Sequence, residues 1–273
     1  MEKKVTSSEE LAFKIRKDIT EMSNIANSSH IASALSVTDI VAVLYSQIAQ
    51  YDINNPQDEN RDRIILSKGH AGSAIYAALA EEGFFNKDEL YTYCQNGSIL
   101  SGHVSQKNVP GVEFSTGSLG HGMPVGAGIA LSAKIDHKKF NTYVIIGDGE
   151  CDEGTIWECA LFSRQYKLDN LIVIVDSNKM QAMGNCDDII SLNPFNEKWK
   201  SFGWNVYEID GNNHEELRNT FLKIEKNGKP NVIIANTIKG KGISFMENNL
   251  VWHYKSPQGD DFKNAIEELE AKQ

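Results

Sequence analysis

Three groups of residues in this 273-residue chain have the types and spacing for chemistry. The first is Gly147-Asp148-Gly149, with Asn178 closing Asp176-Ser177-Asn178 thirty residues after Asp148. Each stands at the end of a short apolar run, Val144 to Ile146 and Leu171 to Val175. In open α/β sheets, ligands sit at the carboxyl ends of parallel strands, beside helix N-termini. Two neighbouring strands would deliver Asp148 and Asn178 to one such edge. With a backbone carbonyl and two phosphate oxygens they would make an oxygen shell suited to Mg2+. The flanking glycines permit close backbone approach. Alone, Gly-Asp-Gly is equally an ordinary turn, and an Asp after a strand an ordinary helix cap. Asn178 at the end of a second strand is what separates the pair from that reading.

The second group is histidines. His30 (Asn27-SSHI), His70 (Ser67-KGHA), His103 (Ser101-GHV) and His253 (Val251-WHYKSP) stand mostly beside Gly or Ser in loop-like contexts, not on apolar helix faces. Imidazole there can hold a phosphate, donate to a sugar hydroxyl or move a proton near neutral pH. A solvated or core histidine is the ordinary alternative for each, and it is retained for His137 and His214. The third group is Glu153 and Glu158, five residues apart at the start of a helix, where capping and solvation also account for them.

The elements that must position these groups are legible in outline. Runs beginning at Arg63, Thr142, Leu171, Asn205 and Asn231 read as buried strands of a parallel sheet covered on both faces. Helical patterns lie between them: Ser36–Gln50 with Ser36 as cap, Ala71–Glu82 ended by Gly83, Thr155–Tyr166 and His214–Glu225. This alternation predicts a doubly wound α/β domain, mainly parallel, with helices on both faces. No repeat or linker divides the chain, so residues 1–273 read as a single domain. Asn96 to Gly128, rich in Gly, Ser and His, reads as a long functional loop. Residues from Pro257 onward read as one charged surface helix.

A net charge of −10 without a Lys/Arg-rich run argues against nucleic acid or an anionic membrane as partner. With 41% hydrophobic residues the chain can build a core, and no apolar run reaches the roughly 20 residues of a membrane span. The four cysteines show no ligand-like pairing, and the polar N-terminus lacks a signal-peptide core, so the expectation is a cytoplasmic protein with reduced thiols.

The Gly147-Asp148-Gly149 to Asn178 pattern resembles the thiamin diphosphate motif. Glu153-Gly154, Trp157-Glu158 and Tyr166-KLDNL narrow it, resembling the transketolase family, specifically the N-terminal subunit of two-chain transketolases. The similarity runs from about His30 to Pro257. It implies a thiamin diphosphate-binding fold of the PP type. Asp148, Asn178 and the carbonyl of Met180 would hold Mg2+, with Ca2+ or Mn2+ as substitutes. Gly117, Ser118, Leu119, Gly149, Glu153, His70 and Asn178 would line the cofactor. His30, His70, His103 and His253 would act on the donor, and Glu153 and Glu158 would lie at a subunit interface. The implied reaction moves a two-carbon ketol unit from a ketose or ketose phosphate donor to an aldose acceptor. The resemblance also implies that the pyrimidine-binding domain, with the glutamate that activates the cofactor, comes from a C-terminal partner chain in an α2β2 assembly.

Four positions depart from the family pattern: Ser29-HIA around His30, His121, Tyr254 after His253, and Met180-QAMG after Asn178. They suggest a specialised relative acting on a modified sugar or a different ketol donor. Two alternatives are a 2-oxo acid decarboxylating carboligase of the 1-deoxyxylulose-5-phosphate synthase type and a non-catalytic nucleotide-binding module. The latter lacks the GxGxxG and GxxxxGK[ST] fingerprints.

Overall fold

Five short segments form one sheet: those from Thr142, Leu171 and Asn231 and most of that from Arg63 are apolar on both alternating faces and buried from two sides, and the edge strand from Asn205 buries chiefly Ile209. The strands are β1 (Arg63–Leu66), β2 (Thr142–Gly147), β3 (Leu171–Ser177), β4 (Asn205–Asp210) and β5 (Asn231–Asn236). All pairs are parallel, in the order β1-β2-β3-β5-β4. The computed structural model describes residues 7–272.

Successive residues of a strand feed opposite cores. Tyr143, Ile145, Ile172, Ile174 and Ile233 join one cluster. Val144, Ile146, Val173, Val175, Val232 and Ile234 join the other. The first cluster is covered by α1 (Ser8–Ala26), α2 (Ile31–Val43), α3 (Gly72–Glu82) and residues of the later helices. The second is covered by α4 (Gly122–Ile135) and α5 (Gly154–Gln165). After β3 come the short α6 (Cys186–Ile189) and α7 (Phe195–Ser201), whose buried Trp199 packs on Trp204 and Trp157. Then α8 (His214–Leu222) and α9 (Asp260–Glu270) return to the first face, where Ala265 and Leu269 are buried.

The strands and the doubly wound class agree with the sequence reading, and three details do not. The helix expected from Ser36 starts at Ile31 and continues beyond Val43 as a π-turn over Leu44–Ile48. Ser36 is no cap. Its hydroxyl lies inside the core and donates to Asp176 at 2.7 Å. Residues 31–48 are also long and apolar enough to cross a membrane, contrary to the reading of the runs, but 83% of that stretch is buried, as in a core helix. Finally, the long loop ends at His121, because Gly122-MPVGAGIA is helical. Its glycines hide the helical pattern and serve packing: a Cβ on Gly126 would lie 2.4 Å from Val144 Cγ2, and one on Gly122 would lie 2.6 Å from Ser67.

Gly126 and Gly128 of α4 therefore give opposite predictions in urea denaturation. Gly126→Val should cost about 1–3 kcal/mol by overpacking. Gly128, with nothing within 4 Å of its missing Cβ, should gain about 0.5–1 kcal/mol on change to Ala through helix propensity.

Candidate active site

Parallel pairing of β2 with β3 sets Gly147 opposite Asp176, so Asp148 and Asn178 emerge side by side at the carboxyl edge. Together with Met180, Gly149, Leu119, His70 and His253 they line one cleft of about 200 Å³. Asp148 is buried. Its two oxygens accept the Gly149 N–H at 2.8 Å and the Lys179 N–H at 2.6 Å. Burial, then the neighbouring Asp176, raises its pKa. Among the described residues no lysine, arginine or histidine forms an ion pair with it. Asn178 is oriented by its amide nitrogen, which donates to Ser36 at 3.1 Å and Asp176 at 3.3 Å, leaving Oδ1 toward the Met180 N–H. A buried carboxylate with no direct ion pair among the described residues, an amide oxygen and the Met180 carbonyl are hard donors, the set a Mg2+-like ion takes. Among the described residues no group of three or more His, Cys, Asp or Glu is placed to hold a metal.

Behind the cleft lies a polar hub. Asp176, fully buried, accepts from Lys68, Ser36 and Thr237 as well as Asn178. Lys239, 1% exposed, donates to the Met180 carbonyl at 3.0 Å and the Gln181 carbonyl at 3.3 Å. Burial, then Lys68, lowers its pKa to about 8. Glu150, also buried, ties three elements together. It accepts from Ser67, from the Gly120 N–H at 2.8 Å and from the Gly147 N–H at 3.1 Å. Lys68, Lys239 and Glu150 were missed in the sequence. Their signal was position, two lysines just past the ends of β1 and β5.

The four histidines converge. His30 is the hub, with ring centroids 5.2 Å from His70, 5.9 Å from His103 and 4.8 Å from His253. It precedes α2 in the left-handed region (φ 73°), and its N–H donates to the His253 carbonyl at 2.7 Å. Burial, reinforced by His103, Lys239 and Lys68, lowers its pKa to about 4. Burial and Lys239 lower that of His253 to about 3. His70 also falls well below its ordinary value, from burial and Lys68. Among the described residues the buried Nδ1 atoms of His30 and His253 have no hydrogen-bond partner. Neutral imidazoles with unused nitrogens suit hydrogen bonds to hydroxyl and carbonyl groups.

Other expected residues lie at the margin. Gly117 and Ser118 are exposed, and Gly117 packs on the His103 ring; only Leu119 of that loop lines the cleft. Glu153 and Glu158 are exposed on α5, outside the cleft. His214 is elsewhere, bonding Asp39 at 2.9 Å and Ser8 at 2.8 Å, and His137 is exposed beyond α4.

Comparison with known proteins gives a consistent picture. Residues 7–270 match the family described as transketolase, thiamine diphosphate binding domain. The chain is 44% identical over 254 residues to one of the subunits of the apulose-4-phosphate transketolase of Actinobacillus succinogenes, covering 93% of this chain and 92% of that protein. It is 42% identical over 257 residues to a 6-deoxy-6-sulfo-D-fructose transketolase subunit of a Clostridium species, covering 94% of each. The Campylobacter jejuni transketolase structure superposes with a TM-score of 0.90 at 29% identity, over 96% of this chain and 42% of that one.

Two outcomes follow from the geometry. Because folding depresses the imidazole pKa values, the unfolded chain takes up protons below about pH 6.5 that the folded chain refuses, so stability falls as the pH drops. His30→Asn, which tolerates the left-handed backbone, should make the fall in Tm between pH 7 and pH 5 shallower; an unchanged slope would count against buried neutral His30. Asp176→Asn leaves the buried Lys68 ammonium unpaired and should cost about 3–5 kcal/mol in denaturation, most of it recovered by adding Lys68→Met.

Proposed function

The chain belongs to the transketolase thiamine diphosphate-binding domain family, and from that premise we propose that it is the cofactor- and metal-binding subunit of a two-chain, cytoplasmic transketolase. The reaction is transfer of a two-carbon ketol unit from a ketose or ketose phosphate to an aldose. The observation that carries this reading is the single cleft in which Asp148, Asn178 and the Met180 carbonyl stand beside the histidine cluster.

In this reading Asp148, Asn178 and the Met180 carbonyl would hold Mg2+, which would supply positive charge for the diphosphate. Gly149 and Leu119 lie against the cofactor, and the buried Lys239 ammonium adds charge toward the diphosphate. Thiamin diphosphate supplies the nucleophilic carbon that carries the two-carbon fragment. His70, which lines the cleft, would face the cofactor, and His103, exposed beyond His30, would face the donor. His30 and His253 hydrogen-bond its hydroxyl and carbonyl through their unused nitrogens and move protons as alkoxide charge develops. Similarity to proteins named as subunits supports a partner chain, on which we place the pyrimidine-binding domain, in an α2β2 assembly. Exposed Leu161 and Phe162 on α5 and Tyr166 just after it, on the side of the fold that also carries exposed Glu158, support a docking face.

Calorimetric titration with thiamin diphosphate and Mg2+, with and without a C-terminal transketolase subunit, tests this. Binding should require the metal, tighten with the partner, and weaken at least ~100-fold in Asp148→Ala, the scale of losing a charged ligand. Absence of binding under both conditions would overturn the cofactor assignment.

A further inference from the structure

The site has an inner and an outer end. The cleft that holds Asp148 and Asn178 is walled by His70 and His253, His30 lies next to both, and His103 and Tyr254 are the exposed rings beyond His30. Tyr254 is unusual among them. Its ring lies 4.8 Å from His253 at 76° and 6.0 Å from His30 at 55°, yet the residue is 66% exposed. Its hydroxyl has no intramolecular partner among the described residues.

Its place is held by its neighbours. Trp252 is buried with its indole N–H donating to the Phe245 carbonyl at 3.0 Å. Lys255 sits 4.5 Å over that indole and pairs with Asp261 at 2.7 Å. Tyr254 thus stands on an anchored turn with one edge against the two inner imidazoles and the rest of the ring free. A large amphipathic ring left uncovered beside a polar cleft offers an apolar face to carbon–hydrogen groups and a hydroxyl to a polar neighbour.

We propose that Tyr254 is a specificity-determining residue, a wall at the cleft mouth that selects donors by the length and bulk of the carbon chain beyond the bond that is cleaved. This rests on the proposed ketol transfer. If His30 and His253 hold the reacting end of the donor, the ring on their outer side meets the part that leaves as the aldehyde. The substrate class is a short or slender polyhydroxylated ketose; longer chains must pass the ring edge.

The test uses the enzyme reconstituted with its partner subunit, thiamin diphosphate and Mg2+, a common aldose acceptor, and five-carbon and seven-carbon ketose phosphate donors. Tyr254→Gly should raise the ratio of kcat/KM for the seven-carbon over the five-carbon donor about tenfold, the scale on which a pocket wall discriminates by size, chiefly through KM. Tyr254→Ala should do the same without glycine's backbone freedom. Tyr254→Phe, which keeps the ring, should hold the wild-type ratio. Cofactor affinity and Tm should be unchanged in all three. A ratio that stays within about twofold of wild type in both truncations would overturn the assignment. Wild-type enzyme that transfers a ketol unit from no donor would instead overturn the functional reading, and it is recognised because every variant is then equally inactive.

Discussion

The buried pair of Lys68 and Asp176 is the interaction on which the site depends. Neither side chain has appreciable contact with solvent, and each comes from the end of a different strand. Two charges removed from water are tolerated only when paired and fully hydrogen-bonded. Asp176 meets that condition with Ser36 from α2, Thr237 from the end of β5 and the Asn178 amide. The pair thereby joins three strand ends and the core helix at one point. It also decides which way the Asn178 amide faces, since the nitrogen is drawn to Asp176 and Ser36 and the oxygen is left for the cleft. Outer partners of this kind commonly set the orientation of metal-binding side chains.

The same crowding of buried charge explains the character of the cleft. Asp148 and Glu150 are desolvated in its lining and Asp176 behind it, beside the ammonium groups of Lys68 and Lys239. Asp176 has its own lysine and Glu150 is satisfied by hydroxyl and backbone donors. Asp148 has two backbone N–H groups and the Cys186 thiol, and among the described residues no cation pairs with it directly. A divalent ion there would supply the missing countercharge and, through its second charge, hold a polyanion in a chain whose overall charge is −10. Net charge is thus a poor guide to a cleft that gathers two buried lysines in an acidic chain.

Much of this architecture was legible in the sequence. The strands were, because residues buried on both faces read as unbroken apolar runs. The Asp148–Asn178 pair was, because two strand ends with oxygen side chains at that separation converge only in a parallel sheet. The helix after His121 was not, since close packing against Val144 and Ser67 demands glycines, which look like loop. Ser36 was misread as a cap because a serine before an apolar stripe looks the same whether its hydroxyl caps a helix or reaches across a core to Asp176. Lys68 and Lys239 were passed over because lysine is ordinarily a surface residue, and their burial depends on partners brought in by other strands. The convergence of the histidines on His30 is a tertiary fact that no local pattern carries.

His30 and Tyr254 touch the same space from scaffolds of different kinds. His30 begins the most deeply buried helix of the molecule, whose residues from Ile31 to Val43 are all buried. Any shift of that helix would disturb the core, the Ser36–Asp176 bond and the sheet together. Tyr254 stands on a turn anchored by buried Trp252, but its own ring is 66% exposed and can be exchanged with little repacking of the core. Over evolutionary time the two therefore accept mutation at different rates. If His30 acts on the donor and Tyr254 selects it, as proposed, the reacting group is held by the stability of the whole domain while the mouth can diversify, and a lineage could change its sugar one rim residue at a time.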